Sequence, residues 1–145
     1  LPPAEFARVA VRHGTVATVS DPHEIANVLG EAGLDFMLED AARACMPIFF
    51  GVPSCVPATD FETAGASLDS TAVARLLEDD RFRYLSEMMN WPGVLHQDPE
   101  VMAKIAAAHI MNDKNTGMIH SFRPFFLSST VKSLIAKTTS SSMDG

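Results

Sequence analysis

The sequence predicts an α/β fold in which strands and helices alternate along the chain. Segments with strand character begin near Thr15, Pro47, Arg83 and Gly117, and helical patterns lie between them. A spacing of about thirty-five residues is typical of βαβ units, whose right-handed crossovers give a parallel sheet. Four such units are half of an eight-unit barrel. The chain is therefore either a small open sheet or a partial (β/α)8 TIM barrel.

Composition and charge exclude several classes of protein. The chain has 145 residues, of which 47% are hydrophobic and 20% charged, and this balance suits one folded domain. A formal net charge of −7, without any Lys/Arg run, argues against a nucleic-acid partner. No apolar stretch is long enough to span a bilayer, and the first residues lack the features of a signal peptide. We therefore expect a cytoplasmic protein without a membrane partner, in which Cys45 and Cys55 are reduced thiols.

Four strands are predicted from runs of β-branched, aromatic or apolar residues bounded by turn residues. The first is rich in Thr and Val, which is typical of a buried strand. In chain order they cover residues 15–19, 47–52, 83–86 and 117–120. The loop of residues 53–60 has no periodicity, so we place it at the end of the sheet where ligands bind.

Helices are predicted where apolar residues recur at helical spacing behind a start signal. They cover residues 4–11, 34–44, 70–78, 98–108 and 129–136, and a further turn and helix cover residues 21–30, where Gly30 ends the helix. The residues predicted to face the core are Phe6, Val9, Ala10, Phe36, Met37, Leu38, Ala41, Val73, Leu76, Leu77, Val101, Met102, Ile105 and Ala108. Pro92 and Gly93 predict a turn, and the Ser/Thr-rich tail of residues 137–145 is expected to fray.

Acidic residues and an imidazole follow two of the predicted strands. Asp21, His23 and Glu24 come after the first strand, and Glu87 comes after the third. The carboxyl ends of parallel strands open on one face, so these side chains can converge around a cation, and their donors suit manganese, iron or zinc. The alternatives are that Asp21 caps the helix beginning at His23, that Glu24 favours the helix dipole, and that Glu87 pairs with an Arg or caps the next helix.

The other histidines carry less weight as site residues. His13, His96 and His109 lie in helical or turn surroundings and are expected to be structural. His120 ends the fourth predicted strand and is an additional candidate to face the site. The sequence contains no glycine-rich phosphate loop, no Gly-x-Ser-x-Gly elbow and no His-Glu-x-x-His zinc helix.

Four irregular segments resemble the successive motifs of bacterial and archaeal adenine deaminases, a family of the amidohydrolase superfamily. They are residues 20–30 (Ser-Asp-Pro-His-Glu-Ile-Ala-Asn-Val-Leu-Gly), 53–59 (Pro-Ser-Cys-Val-Pro-Ala-Thr), 61–66 (Phe-Glu-Thr-Ala-Gly-Ala) and 87–94 (Glu-Met-Met-Asn-Trp-Pro-Gly-Val). The resemblance runs in the family's order over residues 1–108, whereas residues 109–145 diverge. Residues 1–145 are thus expected to form a single, incomplete catalytic-barrel domain from the N-terminal and central part of the barrel.

The resemblance implies a metal-dependent hydrolase of purine salvage that converts adenine and water to hypoxanthine and ammonia. In the family, the glutamate that matches Glu87 bridges two metal ions, with manganese the expected metal and iron or zinc also suitable. The metals lower the pKa of a bound water, and the resulting hydroxide attacks the amino-bearing carbon of the purine. A general acid then protonates the leaving amine, although no catalytic residue is assigned here.

The same resemblance places further residues near the metal and the purine. Asp21, His23 and Glu24 match a motif beside the metal site, where Asp21 and Glu24 bind an additional cation or position ligands. Ser54, Thr59 and Asn90 are expected to contact adenine or a related purine.

The departures from the family pattern predict that this chain alone is not an active deaminase. The family's His-x-His pair would precede Leu1, Phe122 falls where a ligand histidine is expected, and Met143 falls in the later Ser-Asp-His-Glu motif. A phenyl ring or a thioether cannot replace imidazole at such a site, so we expect the divalent metal to be poorly bound in this fragment. Three readings follow: a diverged gene fragment, which the missing initiator Met also suggests, a purine-binding pseudoenzyme, or a structural half completed by a partner chain or a second copy.

Overall fold

The computed structural model describes residues 1–59 and 61–114, and it describes side chains as far as Met111. Within this part, Leu1–Asp113 form one compact unit. The predicted strand of residues 117–120, the helix of residues 129–136 and the tail of residues 137–145 lie outside the described residues. His120, Phe122 and Met143 lie outside them too.

Strands and helices alternate through the described chain as the sequence predicts. The strands are β1 (Thr18–Ser20), β2 (Ile48–Val52) and β3 (Phe82–Leu85). The helices are α1 (Pro3–Ala10), α2 (His23–Leu29), α3 (Glu31–Ala41), α4 (Ser70–Leu77), α5 (Trp91–Leu95) and α6 (Pro99–Lys114), and a 3-10 turn covers Val11–His13. None of the helices in the described residues is long and apolar enough to cross a membrane.

The three described strands form one parallel sheet in the order β1-β2-β3. Thr18 lies beside Ile48, and Phe50 lies between Ser20 and Phe82. The predicted α/β class and the parallel pairing are therefore confirmed.

The hydrophobic core joins the sheet to the helices. Phe50 and Val52 of β2 are 2% and 0% exposed, because a central parallel strand is covered by helices. Around them pack the buried residues Ala26, Leu34, Val56, Leu68, Val73, Leu76, Leu77, Phe82 and Met111.

The prediction of a buried first strand is wrong. β1 begins at Thr18 rather than Thr15, and Val19 is 60% exposed. Within the described residues β1 pairs only with β2, so one of its edges has no neighbouring strand. Its β-branched residues favour an extended chain, but burial depends on neighbours that a local pattern does not reveal.

Two predicted core faces are also corrected. In α1, Phe6 and Val9 are exposed and Ala7 is fully buried, because α1 approaches α3 closely and the Ala4 amide donates to Asp40 Oδ2 at 2.7 Å. In α3, Phe36 is exposed and Leu34 takes the core position.

The helix α3 begins earlier than predicted, at Glu31. A Cβ added to Gly33 would lie 2.7 Å from the Ile25 carbonyl oxygen, so this glycine lets α2 and α3 pack closely. Gly30, with φ of 60°, makes the turn between these helices, as the sequence predicts.

The segment after β3 forms a short helix where a turn was predicted. Asn90 caps α5, since its Oδ1 accepts a hydrogen bond from the Gly93 amide at 3.0 Å. In α6, Val101 is buried as predicted, whereas Met102, Ile105 and Ala108 are only half-buried, and Lys104 and Met111 are the other buried residues among its described side chains.

Candidate active site

The segments that follow β1, β2 and β3 line a common cavity at the carboxyl end of the sheet. Its volume is about 290 Å³, and it is lined by His23, Glu24, Asn27, Cys55, Ala58, Glu62 and Met89. Each of the three strands thus contributes residues through the loop or helix start behind it. Ligand sites of parallel α/β proteins occupy this position.

A wider groove of about 590 Å³ lies toward the beginning of β2. Its lining is mostly apolar and includes Arg81 and Arg83, but it contains no carboxylate and no imidazole. Arg81 is already paired with Asp79 and Asp35. Carboxylate and imidazole side chains therefore line the smaller cavity and not the groove.

Asp21 is a half-buried carboxylate at the end of β1. Its Oδ1 is buried and makes no aligned hydrogen bond to the described residues, although the Ser86 hydroxyl acts on this carboxylate and lowers its pKa. No side chain caps α2, so the alternative that Asp21 caps this helix is wrong. Burial raises the pKa of Asp21, although the adjacent His23 imidazole opposes this shift.

His23 lies beside Asp21 at the start of α2. Its Nδ1 is 3.2 Å from Asp21 Oδ2, but this approach is not aligned as a hydrogen bond, and Nδ1 is buried without a partner. Its Nε2 is 3.7 Å from Glu24 Oε1, and the Glu24 side chain is 79% exposed. Asp21 and His23 therefore place a carboxylate and an imidazole side by side at the end of β1.

Tyr84 fixes the end of β1 from across the sheet. Its ring passes over Gly51 of β2, and its hydroxyl donates to the Ser20 carbonyl oxygen at 2.7 Å. A methyl group on Gly51 would overlap this ring and Ser86 Oγ, so glycine permits the crossing. Burial, followed by the charge of Asp21, raises the pKa of Tyr84 to about 12. The backbone just before Asp21 is thus tied to β3.

Glu87 follows β3 and is exposed. Its backbone carbonyl accepts a hydrogen bond from Ser54 Oγ. Within residues 1–59 and 61–111 its carboxylate makes no ion pair with an arginine, and Asn90 rather than Glu87 caps α5. The assignment of Glu87 as a metal ligand stays a prediction.

The three predicted purine contacts occupy different positions. Ser54 is 1% exposed, and its hydroxyl points to the Glu87 carbonyl rather than to the cavity. The backbone amide of Asn90 donates to Cys55 Sγ at 3.4 Å. Ser54 and Asn90 therefore both join the segments behind β2 and β3. Thr59 donates to Glu62 Oε1 at 2.9 Å and lies beside the cavity-lining Ala58.

The donor atoms fit part of the ligand set of a divalent cation. Asp21 Oδ2 lies 3.2 Å from His23 Nδ1, and a carboxylate oxygen and an imidazole nitrogen both suit manganese, iron or zinc. Within the described residues, no group of three or more His, Cys, Asp or Glu side chains converges to hold an ion. Asp21 and His23 are therefore a partial donor set.

Sequence reasoning missed several residues that line the cavity. Asn27, Cys55, Glu62 and Met89 all face it, and Cys55 was interpreted only as an ordinary thiol. Both cysteines are free, with Cys45 exposed and Cys55 buried. All four residues lie inside the segments that resemble family motifs, and this position could have indicated them. A motif does not show, however, which of its side chains point toward a cavity.

The chain belongs to the amidohydrolase family, which it matches over residues 2–125. Several curated relatives of the chain are named adenine deaminase. One from Methanosarcina barkeri is 65% identical over 106 residues, which is 73% of this chain and 19% of the relative. Those from Salinibacter ruber and a Sulfurovum species are 59% and 53% identical over 76% and 81% of the chain. The chain spans about a fifth of the length of these curated relatives.

Proposed function

We propose that this chain is part of the catalytic (β/α)8 barrel of an adenine deaminase, the hydrolase that converts adenine and water to hypoxanthine and ammonia. The observation that carries the proposal is the cavity at the carboxyl ends of β1, β2 and β3. All four segments that resemble adenine deaminase motifs lie in or beside this cavity. The relatives named adenine deaminase support the substrate, and the parallel sheet supports the barrel.

Asp21 and His23 would hold a divalent cation, with Glu24 and Glu87 as further proposed ligands. When bound, such an ion acts as a Lewis acid that activates water at neutral pH. Tyr84 holds the Asp21 backbone in place through Ser20. The buried position of Asp21 excludes water from one of its oxygens, which strengthens its attraction for a cation. Manganese is the metal we favour among manganese, iron and zinc.

The purine would lie against the apolar part of the cavity. Cys55, Ala58 and Met89 supply this surface, while Asn27 and Glu62 supply polar atoms for the edge of the base. Ser54 and Asn90 shape the cavity by joining its two loops, and Thr59 orients Glu62.

We further propose that the 145-residue chain does not turn over adenine by itself. Its described residues supply two adjacent metal donors, whereas a catalytic amidohydrolase site needs a larger set. The cytoplasmic location and the single-domain organisation stay predictions.

A second candidate is a non-catalytic purine-binding or structural domain that a partner chain or a second copy completes. Within the described residues, one edge of β1 has no neighbouring strand, and this favours the second candidate because an unpaired strand edge can accept another strand.

Metal titration tests the proposed site. We expect Mn²⁺, followed by the loss of its free paramagnetic resonance signal, to bind the 145-residue chain. Substituting Asp21→Ala or His23→Ala should weaken binding roughly tenfold or more, because each change removes one of few donors. Glu39→Gln, a charge loss at an exposed position of α3, is the matched control and should leave binding unchanged. Equal binding in all four proteins would contradict the assignment.

A further inference from the structure

Lys104 of α6 is a buried lysine that the proposed chemistry does not use. It is 8% exposed, and its Nζ donates hydrogen bonds to the carbonyl oxygens of Ser54 at 3.1 Å and Leu68 at 2.7 Å. A fully buried lysine is rare unless its charge is compensated. Among the described residues no carboxylate lies within ion-pair distance of Lys104, so two backbone carbonyls hold its ammonium group.

These two carbonyls stand at the two ends of the connection between β2 and α4. Ser54 follows β2, and Leu68 lies just before α4. Nearby, the Leu68 amide donates to the Val56 carbonyl at 2.9 Å, and these two residues form an isolated antiparallel bridge. The base of the loop is therefore closed by one backbone pair and by one ammonium group from a distant helix.

The loop that Lys104 closes is the one that forms much of the cavity wall. Cys55, Ala58 and Glu62 line the cavity, and all three lie between the carbonyls that Lys104 holds. A hydrogen bond to a charged donor is stronger than one between neutral groups, particularly where water is excluded. The position of these wall residues thus depends on a side chain that does not touch the cavity.

We propose that Lys104 is a positioning residue that holds the Ser54 and Leu68 ends of the connection between β2 and α4 together and so sets the shape of the purine cavity. The inference rests on the proposed function for the identity of the ligand, but not for the closure of the loop. Replacing the ammonium group by an apolar side chain of similar length leaves two buried carbonyls without their donor. The loop should then open locally while the rest of the chain stays folded.

Thiol reactivity of Cys55 measures this opening directly. In a Cys45→Ser background, which removes the exposed thiol, Cys55 is the only cysteine left to react with Ellman's reagent. We expect Lys104→Met to raise the reaction rate of Cys55 roughly tenfold or more. This rise should exceed the one expected from the variant's lower free energy of unfolding, which urea denaturation measures. The same variant should lose protection of the Leu68 amide in hydrogen exchange.

Val101→Ala is the matched control, because Val101 is buried on the same helix, packs against Gly93 and carries no hydrogen-bond donor in its side chain. It should lower global stability without a separate increase in Cys55 reactivity. If both variants raise the rate only as far as their global stability predicts, Lys104 is an ordinary structural residue and the proposal is overturned.

Adenine affinity tests whether closure of the loop sets the shape of the cavity. Calorimetric titration should give a dissociation constant roughly tenfold weaker for Lys104→Met than for the parent, and an unchanged value for Val101→Ala. A parent chain that does not bind adenine would contradict the proposed function, while the thiol and exchange data would still decide the role of Lys104. Altered reactivity with unaltered affinity would overturn the link to the cavity.

A measurement on the unmutated chain covers the case in which Lys104→Met fails to fold. Nitrogen-15 spectra of the lysine ammonium groups should show one signal whose protons exchange slowly with water, because two carbonyls hold the Lys104 Nζ. Fast exchange of every lysine ammonium group in a folded sample would overturn the proposal.

Discussion

At the scale of single residues, a glycine decides how the end of β1 is held. Gly51 has no side chain, so the Tyr84 ring crosses β2 and its hydroxyl reaches the Ser20 carbonyl. A larger residue at this position would separate β1 from β3 just before Asp21. The carboxylate of the candidate metal site therefore depends on a residue that carries no functional group.

Tyr84 provides a direct test of this arrangement, because it is the only tyrosine in the chain. Its pKa in the folded protein is raised to about 12 from 10.0, so it contributes stability below pH 10 that is lost as the pH rises through 12. Absorbance titration should show one phenolate transition near 12 in the folded chain and near 10 in urea. Gly51→Ala should displace the ring, lower the midpoint and destabilise the fold by about 1–3 kcal/mol. A folded-state midpoint at 10 would contradict the buried, hydrogen-bonded Tyr84.

At the scale of elements, a buried carboxylate attaches α1 to α3. Asp40 accepts a hydrogen bond from the Ala4 amide in the first turn of α1 and also pairs with Arg43. The first turn of a helix has free amide groups, which a carboxylate satisfies. Small buried residues, Pro3 and Ala7, then bring the two helices together where the sequence pattern had placed Phe6 and Val9.

Acid should weaken this attachment. The Ala4 hydrogen bond, more than Arg43, lowers the pKa of Asp40 from 3.8 against the opposing effect of burial. A lowered folded-state pKa contributes stability that is present above 3.8 and is lost as the pH falls through the folded value. Urea unfolding should therefore show Asp40→Asn to be less stable than the parent at pH 7, with the difference shrinking toward pH 3. Glu39→Gln, an exposed change on the same helix, should leave the stability at pH 7 close to that of the parent. A deficit in Asp40→Asn that stays constant as the pH falls would contradict the role of the charge.

The alternation of elements was predictable because its signals are local. Gly14 and Gly30 end helical segments through positive φ values, and Asp69 caps α4 by accepting from the Ala72 amide at 2.8 Å. The motif segments were identified by their resemblance to a family, and three of the four, residues 20–30, 53–59 and 87–94, lie at or just after the end of a strand. Their shared cavity follows from parallel topology, which repeats along the chain.

Burial and side-chain direction were not predictable in this way. Ser54 turns toward Glu87, Lys104 enters the interior, and Val19 lies at an open strand edge, and each outcome depends on segments far away in the sequence. Local apolar spacing identifies a helix but cannot say which of two apolar faces meets the next element. The burial of Asp21 Oδ1 likewise emerges only from the packed structure.

At the scale of the whole molecule, the chain is a member of the amidohydrolase family whose described sheet has three parallel strands. The segments behind these three strands place His23, Cys55 and Met89 around one cavity. We propose that this cavity binds adenine and that the 145-residue chain does not hydrolyse it.

One measurement tests this claim most directly: calorimetric titration of the folded chain with adenine in the presence of Mn²⁺, with ammonia assayed in the same sample. The account predicts saturable binding that His23→Ala weakens, and no ammonia above the level without protein. Absence of adenine binding by a folded chain would contradict the purine cavity, and sustained ammonia release would contradict the inactivity of the chain.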